Sequence, residues 1–439
     1  MQNDDKNLNS KGYDDRDYDD RDYRDSDYDD RDYDDRDYDR RRRDMKSRDD
    51  RDYKRSDRSY SERSRSTSGS RSSAGGRGKA AARKKSNIGY WAIALVVEVI
   101  LVFVLSYAIA KSYVHAKYSK LQINDIPHEE LAIDEEIQET LKGYTSIALF
   151  GIDARDNSLG RGNRSDAIIV VSINNDTKEI RMTSVYRDTL LEIQKENPIT
   201  AKVNTAYAYG GPEMAVQTLN ANLDLNITEY ATVNWEGLTR AIDALGGVEV
   251  DVEENELNTL NGVLAEQIAS NGIYSDGVFT TGHLTLNGAQ ATAYSRIRST
   301  DMGDITRTER QREVIGSMID KLKKSDMKAI NNLIDELFPY IATSITEKEM
   351  YDYAANLVNY EFVDNNGFPY KYGSWTSTEK GMCLVAQDLT ENVKALHKFL
   401  YPDQNYTPSD NVTRINQILT NETGIASAGE VSVPSSSGE

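Results

Sequence analysis

Cysteine occurs once in the 439 residues, at Cys383, so no intrachain disulfide can form. This scarcity assigns no compartment, because many exported bacterial proteins also lack disulfides. Histidine occurs four times and never within the charged motifs described below, so no His/Cys cluster suggests zinc. There is no P-loop and no Ser-His nucleophile arrangement. Basic charge is in deficit: 53 Lys and Arg against 72 Asp and Glu give a net charge of −19, which argues against a nucleic-acid-binding body. Valine, isoleucine and phenylalanine are absent from residues 1–87, so that segment cannot bury enough apolar surface to fold as a globule.

What residues 1–87 do contain is repetitive. Tyrosines 13, 18, 23, 28, 33 and 38 recur at a period of five, which fits neither a helix face nor a strand face. Residues 1–39 carry 17 acidic and 7 basic side chains, whereas residues 40–87 carry 6 acidic and 18 basic. The reading is a disordered polyampholyte. Its basic half ends against an apolar run, which favours lipid headgroups over nucleic acid as the partner. That run, Ile88 to Ala110, has 23 residues, enough for a transmembrane helix of about 35 Å. Arg71, Arg77, Lys79, Arg83, Lys84 and Lys85 precede it with no acid among them, so the tail is expected in the cytoplasm and the rest outside. Glu98 lies mid-span, where an acid is expected to be protonated or paired.

Residues 111–142 read as a polar extracellular stalk, and the globular part begins at 143. Three short β-branched runs, Ser146 to Phe150, Ala167 to Ile173 and Glu179 to Tyr186, favour strands. Ile168 to Val171 is continuously apolar, as in a strand buried on both faces. Asp153, Arg155, Arg164, Asp166, Arg187 and Asp188 sit at the ends of these strands. Any one of them could be a surface ion pair, but the set at strand ends points to a ligand site. A Gly-Gly turn with Pro212 at a helix start, a strand at Tyr230 to Asn234, a helix at Trp235 to Leu245 and a strand at Val248 to Val252 continue an α/β alternation. Met327 to Tyr360 reads as helical with Leu333, Ile334, Leu337 and Ile341 on one stripe. Residues 361–402 hold a Gly-rich aromatic segment and a last helix, Glu391 to Leu400, and from Thr407 the chain reads as loose.

A second charged segment faces the same place. Period two across Tyr294 to Arg298, read as a strand, puts Arg296 and Arg298 on one face and Ile297 on the other. Two adjacent arginines repel unless an anion lies between them. In the following helix Val314, Ile315, Met318 and Leu322 mark the core stripe; Arg307, Arg310 and Gln311 share it, whereas Glu309 and Glu313 fall opposite. Inward arginines near a helix N-terminus need a partner; carboxylates in the same core could supply it, but a phosphate group is favoured because forked guanidinium donors suit it. Asp153 and Asp166 would fit a hard divalent cation such as Mg²⁺ bridging to phosphate oxygens.

Assembled in order, GIDAR, GNRSDA, VYRDT, KVNTAYAYGG, DALGGVEVDV, SRIRS and DITRTERQR resemble the LytR-CpsA-Psr family of cell-wall glycopolymer transferases, from about Thr145 to Leu322. The resemblance implies a single α-β-α extracellular domain with a central mixed sheet; the disordered tail (1–87) and most of the chain after Leu322 lie outside the resemblance, and the transmembrane helix (88–110) and stalk (111–142) precede the domain. The catalytic domain would span 143–322, a helical extension 323–402 and a flexible tail 403–439. The implied reaction moves a glycopolymer phosphate from undecaprenyl pyrophosphate, whose chain lies in a hydrophobic groove, to a peptidoglycan hydroxyl. Asp153 and Asp166 would bind Mg²⁺. Arg164, Arg187, Arg296, Arg298, Arg307, Arg310 and Gln311 would hold the substrate, and Arg187, Asp188 and Asp304 are the candidate catalytic residues. Tyr186 and Ala167 stand where the family often has Pro and Thr, departures that bear on loop shape and remove no charge. A lipid-pyrophosphate hydrolase, or a non-enzymatic scaffold or regulator that binds polyprenyl phosphate, is the alternative.

Overall fold

In the computed structural model residues 104–106, 108–109, 111–154, 157–272, 274–298, 304–426 and 429–433 are described. The charged tail, most of the 88–110 run with Glu98, and Arg155 lie outside them. Among the described residues no helix is long and apolar enough to cross a membrane.

After a helical stretch at 111–118 come β1 (Gln122–Ile123), α1 (Glu135–Thr140) and three long strands, β2 (Tyr144–Ile152), β3 (Ser165–Asn174) and β4 (Glu179–Val185). A hairpin of β5 (Leu190–Ile193) and β6 (Ile199–Lys202) leads into α2 (Asn204–Leu223), β7 (Ile227–Asn234) and α3 (Trp235–Ala244). Next follow β8 (Val248–Val252), α4 (Glu254–Asn271), β9 (Gly282–Leu286), α5 (Gly288–Tyr294), α6 (Asp304–Lys324) and α7 (Met327–Leu337). The chain ends with β10 (Ile341–Thr343), α8 (Glu347–Asn356), β11 (Glu361–Phe368), β12 (Tyr372–Ser377), β13 (Gly381–Ala386), α9 (Leu389–Leu400) and α10 (Asp410–Thr423).

A seven-stranded mixed sheet in the order β1-β10-β7-β2-β3-β4-β11 forms the centre. Strand β2 runs parallel to β7 and antiparallel to β3, and β4 runs antiparallel to β3 and parallel to β11. Successive side chains of a strand point to opposite faces. Ala148, Phe150, Ile168 and Val170 therefore join one core with Leu219 of α2, Leu396 of α9 and Ile415 of α10. Ile147, Ile169, Val171 and Met182 join another, against Ile315 of α6 and Tyr353 of α8. The continuous apolar run in β3 feeds both layers, which makes the fold α-β-α.

Four expectations are corrected. The 327–360 helix breaks at Phe338–Tyr340, where Pro339 interrupts it, and Ile341 to Thr343 enter the sheet as β10 between β1 and β7. The segment after 322 is no helical extension, because β11 pairs with β4 along the sheet edge. Nor is the chain loose after Thr407: Ser409 caps α10 by accepting from Val412 N, and Val412, Ile415 and Leu419 are buried. The stalk also folds back, since β1 pairs with β10 and Leu121, Ile126, Leu131, Ile137 and Leu141 are buried. Sparse apolar residues at helical or alternating spacing carry these segments into the core despite a polar composition.

One buried acid in β7 gives a stability prediction. Glu229 is buried, accepts from Tyr353 Oη at 2.6 Å, and burial pushes its carboxyl up to about 7. Between about pH 4.5 and 7 the folded state keeps this proton and the unfolded state does not, so stability falls as pH rises through that window. Glu229→Gln should therefore raise stability at pH 8 by about 2–3 kcal/mol and bring little gain at pH 4.5. Buried His397, pushed down to about 4, acts oppositely, adding stability as pH rises from there toward 6.5. Thermal melts of the two proteins from pH 4.5 to 8 isolate the Glu229 contribution, and a constant offset would refute it.

Candidate active site

Strand directions gather the charged motifs. The C-terminal ends of β2, β4 and β7 and the N-terminal end of β3 lie at one edge of the sheet, with Ile152 paired to both Ser165 and Asn234. Asp153 follows β2, Asp166 lies at the start of β3, Arg187 and Asp188 follow β4, and Trp235 follows β7. Asp166 is the hub. Its Oδ1 accepts from Arg187 Nη1 at 2.6 Å, its Oδ2 lies 3.6 Å from Arg298 Nη2, and its backbone carbonyl accepts from Arg307 Nη2 at 2.9 Å. Asp188 lies 3.6 Å from Arg187 Nε and pairs with Lys202 Nζ at 2.8 Å. Tyr186 is buried with its ring over Gly367, where a Cβ would come within 2.2 Å of the phenol oxygen.

The SRIRS segment is not a strand. Asn287 and Gln290 form a capping box that starts α5, and the Ala-rich helix ends at Tyr294. At Gly288 a Cβ would lie 2.1 Å from Thr239 O, so only glycine allows α5 to approach α3. The backbone beyond Ser295 nevertheless turns Arg296 and Arg298 into one pocket while Ile297 is fully buried. Arg296 packs over Trp235 at 5.8 Å and donates to Gln267 Oε1 at 3.4 Å.

Along α6 the inward stripe holds for Arg307, Gln311 and Val314, all buried. Arg310 is a correction to the substrate-binding set. Its Nε donates to buried Glu256 Oε1 at 2.5 Å and its Nη1 to Ile297 O at 3.3 Å, and it does not line the polar pockets described here. Glu313 is a second correction: it accepts from Tyr294 Oη at 2.8 Å and Asp251 N at 2.9 Å, because α6 packs on β8 as well as on the sheet. Buried Arg312, not anticipated, donates to Asn365 Oδ1 at 2.6 Å, and burial lowers its pKa. Asp304 is the first residue of α6.

Two polar pockets meet at the carboxylates. Asp153 and Asp166 line one with Trp235, Arg296, Arg298 and Arg307, and the other with Arg164, Arg187, Asp188, Lys202 and Asn204. Lys202 and Asn204 escaped the sequence reading, although both stand in the KVNTAYAYGG motif. Among the described residues no three His, Cys, Asp or Glu side chains form a metal cage. Two carboxylates without sulfur or imidazole still fit Mg²⁺, which takes its remaining oxygens from phosphate and water. Beside these pockets an apolar cavity of about 330 Å³ separates β2, β3 and β7 from α3, α6 and α7. Leu149, Ile169, Val314, Met318, Leu333 and Leu337 are among its walls, Trp235 belongs both to it and to the arginine pocket, and the buried Oε1 of Gln311, another wall residue, has no hydrogen-bond partner among the described residues.

The LytR_cpsA_psr family model matches residues 106–398. The polyisoprenyl-teichoic acid–peptidoglycan teichoic acid transferase TagU of Oceanobacillus iheyensis is 31% identical over 296 residues, covering 65% of this chain and 84% of its own. TagU of Bacillus licheniformis is 31% identical over 278 residues, covering 62% and 82%. Among solved structures, an Enterococcus faecalis protein described as a transcriptional regulator superposes with a TM-score of 0.51 at 26% identity, over 66% of this chain and 98% of that one. A Streptococcus agalactiae protein does so with a TM-score of 0.51 at 27% identity, over 63% and 93%. With its motifs gathered on one sheet edge and the family match spanning most of the folded region, this chain belongs to the LytR-CpsA-Psr family.

Proposed function

We propose that this protein is a Mg²⁺-dependent, membrane-anchored transferase that moves a glycopolymer phosphate from undecaprenyl pyrophosphate to a peptidoglycan hydroxyl. The observation that carries the reading is Trp235, shared between an apolar cavity and a pocket of arginines and carboxylates. An isoprenoid chain ending in a pyrophosphate matches that junction, with its chain against Leu149, Ile169 and Leu333 and its charge toward Arg296, Arg298 and Arg307. The relatives named as polyisoprenyl-teichoic acid–peptidoglycan transferases support the same substrate classes. The apolar run at 88–110 and the basic residues before it support an anchored chain with its catalytic domain outside.

The residues divide the work. Arg298 and Arg307 bind phosphoryl oxygens, and Arg187, oriented by Asp166, stabilises negative charge that builds on the transferred phosphoryl group. Mg²⁺ held by Asp153 and Asp166 would supply further charge neutralisation at those oxygens. Apolar walls exclude water from the lipid side. The test is mass spectrometry of lipid bound to the purified protein, together with transfer of a lipid-linked saccharide to a peptidoglycan acceptor. Bound polyprenyl lipid with a labelled acceptor is expected. Phosphate release without a labelled acceptor would identify a hydrolase, and binding without turnover a scaffold.

A further inference from the structure

The pocket holding Lys202 and Asn204, about 380 Å³, borders the same two carboxylates as the arginine pocket. Among the described residues it has no lining residue in common with the apolar cavity. We propose that this chamber is the acceptor subsite, taking a glycan sugar hydroxyl, with Lys202 and Asn204 as its positioning residues. The inference rests on the transferase reading above and deepens it.

Reaction geometry assigns the two chambers. In phosphoryl transfer the attacking and leaving oxygens lie roughly in line on opposite sides of phosphorus. The leaving group is polyprenyl phosphate, tethered through its chain to the apolar cavity, so the departing oxygen lies on the Trp235 side. The nucleophile must then arrive from the other side of Asp153 and Asp166, which is the Lys202 chamber.

The lining fits a sugar. Asn204 is 4% exposed, and its buried Oδ1 has no hydrogen-bond partner among the described residues. A buried acceptor left unpaired is unfavourable, and a sugar O–H or an N-acetyl N–H would satisfy it. Lys202 pairs with Asp188 at 2.8 Å, and an ammonium carries three donors, so it can hold this carboxylate and also reach a sugar oxygen. The backbone fixes both residues: Val203 N donates to Thr189 O at 2.8 Å and Asn204 N to Arg187 O at 3.2 Å. In the step, the acceptor oxygen bonds to the phosphorus that carries the glycopolymer. The bond from that phosphorus to the bridging oxygen breaks, and its electron pair leaves on polyprenyl phosphate. The hydroxyl proton passes to the Asp188 carboxylate and then to solvent.

The test uses the full chain in detergent, a polyprenyl-pyrophosphate-linked saccharide and a peptidoglycan oligosaccharide, varying each substrate in turn. Lys202→Met and Asn204→Ala should each raise the acceptor KM about tenfold or more and leave the donor KM within about twofold. Lys202→Arg, which keeps the charge beside Asp188, should stay within a few-fold of wild type and serves as the control if Lys202→Met folds poorly. A rise in donor KM with the acceptor KM unchanged would assign the chamber to the donor and overturn the inference. So would a fall in kcat with neither KM altered. A wild-type protein that consumes donor only by hydrolysis, or not at all, would overturn the transferase reading itself.

Discussion

Replacing Arg298 with Met should slow glycopolymer transfer by about 10²–10³-fold, while the protein melts within about 2 °C of wild type. The two parts of this expectation have different causes. Arg298 is 54% exposed and its contact with Asp166 is 3.6 Å long, so as an ion pair it adds at most about 1 kcal/mol to folding. As a donor aimed at a phosphoryl oxygen in the pocket it shares with Trp235 and Arg307, it would act where charge builds up, which is where one preorganised donor has its largest effect. Arg298→Lys should recover only part of the rate, because an ammonium cannot reproduce the guanidinium fork. The neighbouring residue supplies the opposite control. Ile297 is fully buried, so Ile297→Ala should cost about 2–5 kcal/mol of stability and leave the turnover of the folded fraction near wild type. Full transfer activity in Arg298→Met, beside an intact melt, would remove Arg298 from the substrate-binding set.

The parts of the fold legible in the sequence were those whose signal is local. The β-branched runs of β2, β3 and β4 mark strands by their own composition, and the charged motifs after them mark one rim. Strand direction then brings Asp153, Asp166 and Arg187 together. What escaped depends on partners far along the chain. The burial of α10 rests on Val412, Ile415 and Leu419 within a stretch of Asn and Thr, and becomes intelligible only beside α2 and α9. Strand β10 is three residues long and gains its place by pairing with β7, more than a hundred positions earlier. The SRIRS segment alternates as a strand would, yet the capping box at Asn287 and Gln290 and the Ala-rich run that follows specify a helix end. Lys202 and Asn204 carried no periodic signal, and their importance follows from the chamber that β6 and α2 build against Asp188. Arg310 shows the same limit within a correctly read element: the helical stripe gave its direction, but its partner lies on α4.

That partner makes Arg310 the clearest separation between a structural and a substrate-binding arginine. Arg310 and Glu256 are both nearly excluded from solvent, with side chains 7% and 5% exposed and the guanidinium Nε 2.5 Å from the carboxylate. The pair joins α4 to α6, and Arg310 also holds the carbonyl of Ile297 at 3.3 Å, between Arg296 and Arg298 in the sequence. Taking two charges out of water offsets much of their attraction, so the intact pair adds little net stability. Removing one member is another matter, because it strands the other charge in the interior. Arg310→Met should therefore cost about 3–5 kcal/mol and lower the melting temperature by roughly 6–15 °C. Glu256→Leu in the same protein removes the stranded carboxylate, and the double variant should regain most of the loss. Its transfer rate should return with the fold, since neither side chain lines the two polar pockets. Thermal melts and transfer assays on the two single variants and the double variant close the cycle. A double variant that folds as wild type yet transfers a hundredfold more slowly would return Arg310 to the substrate-binding set.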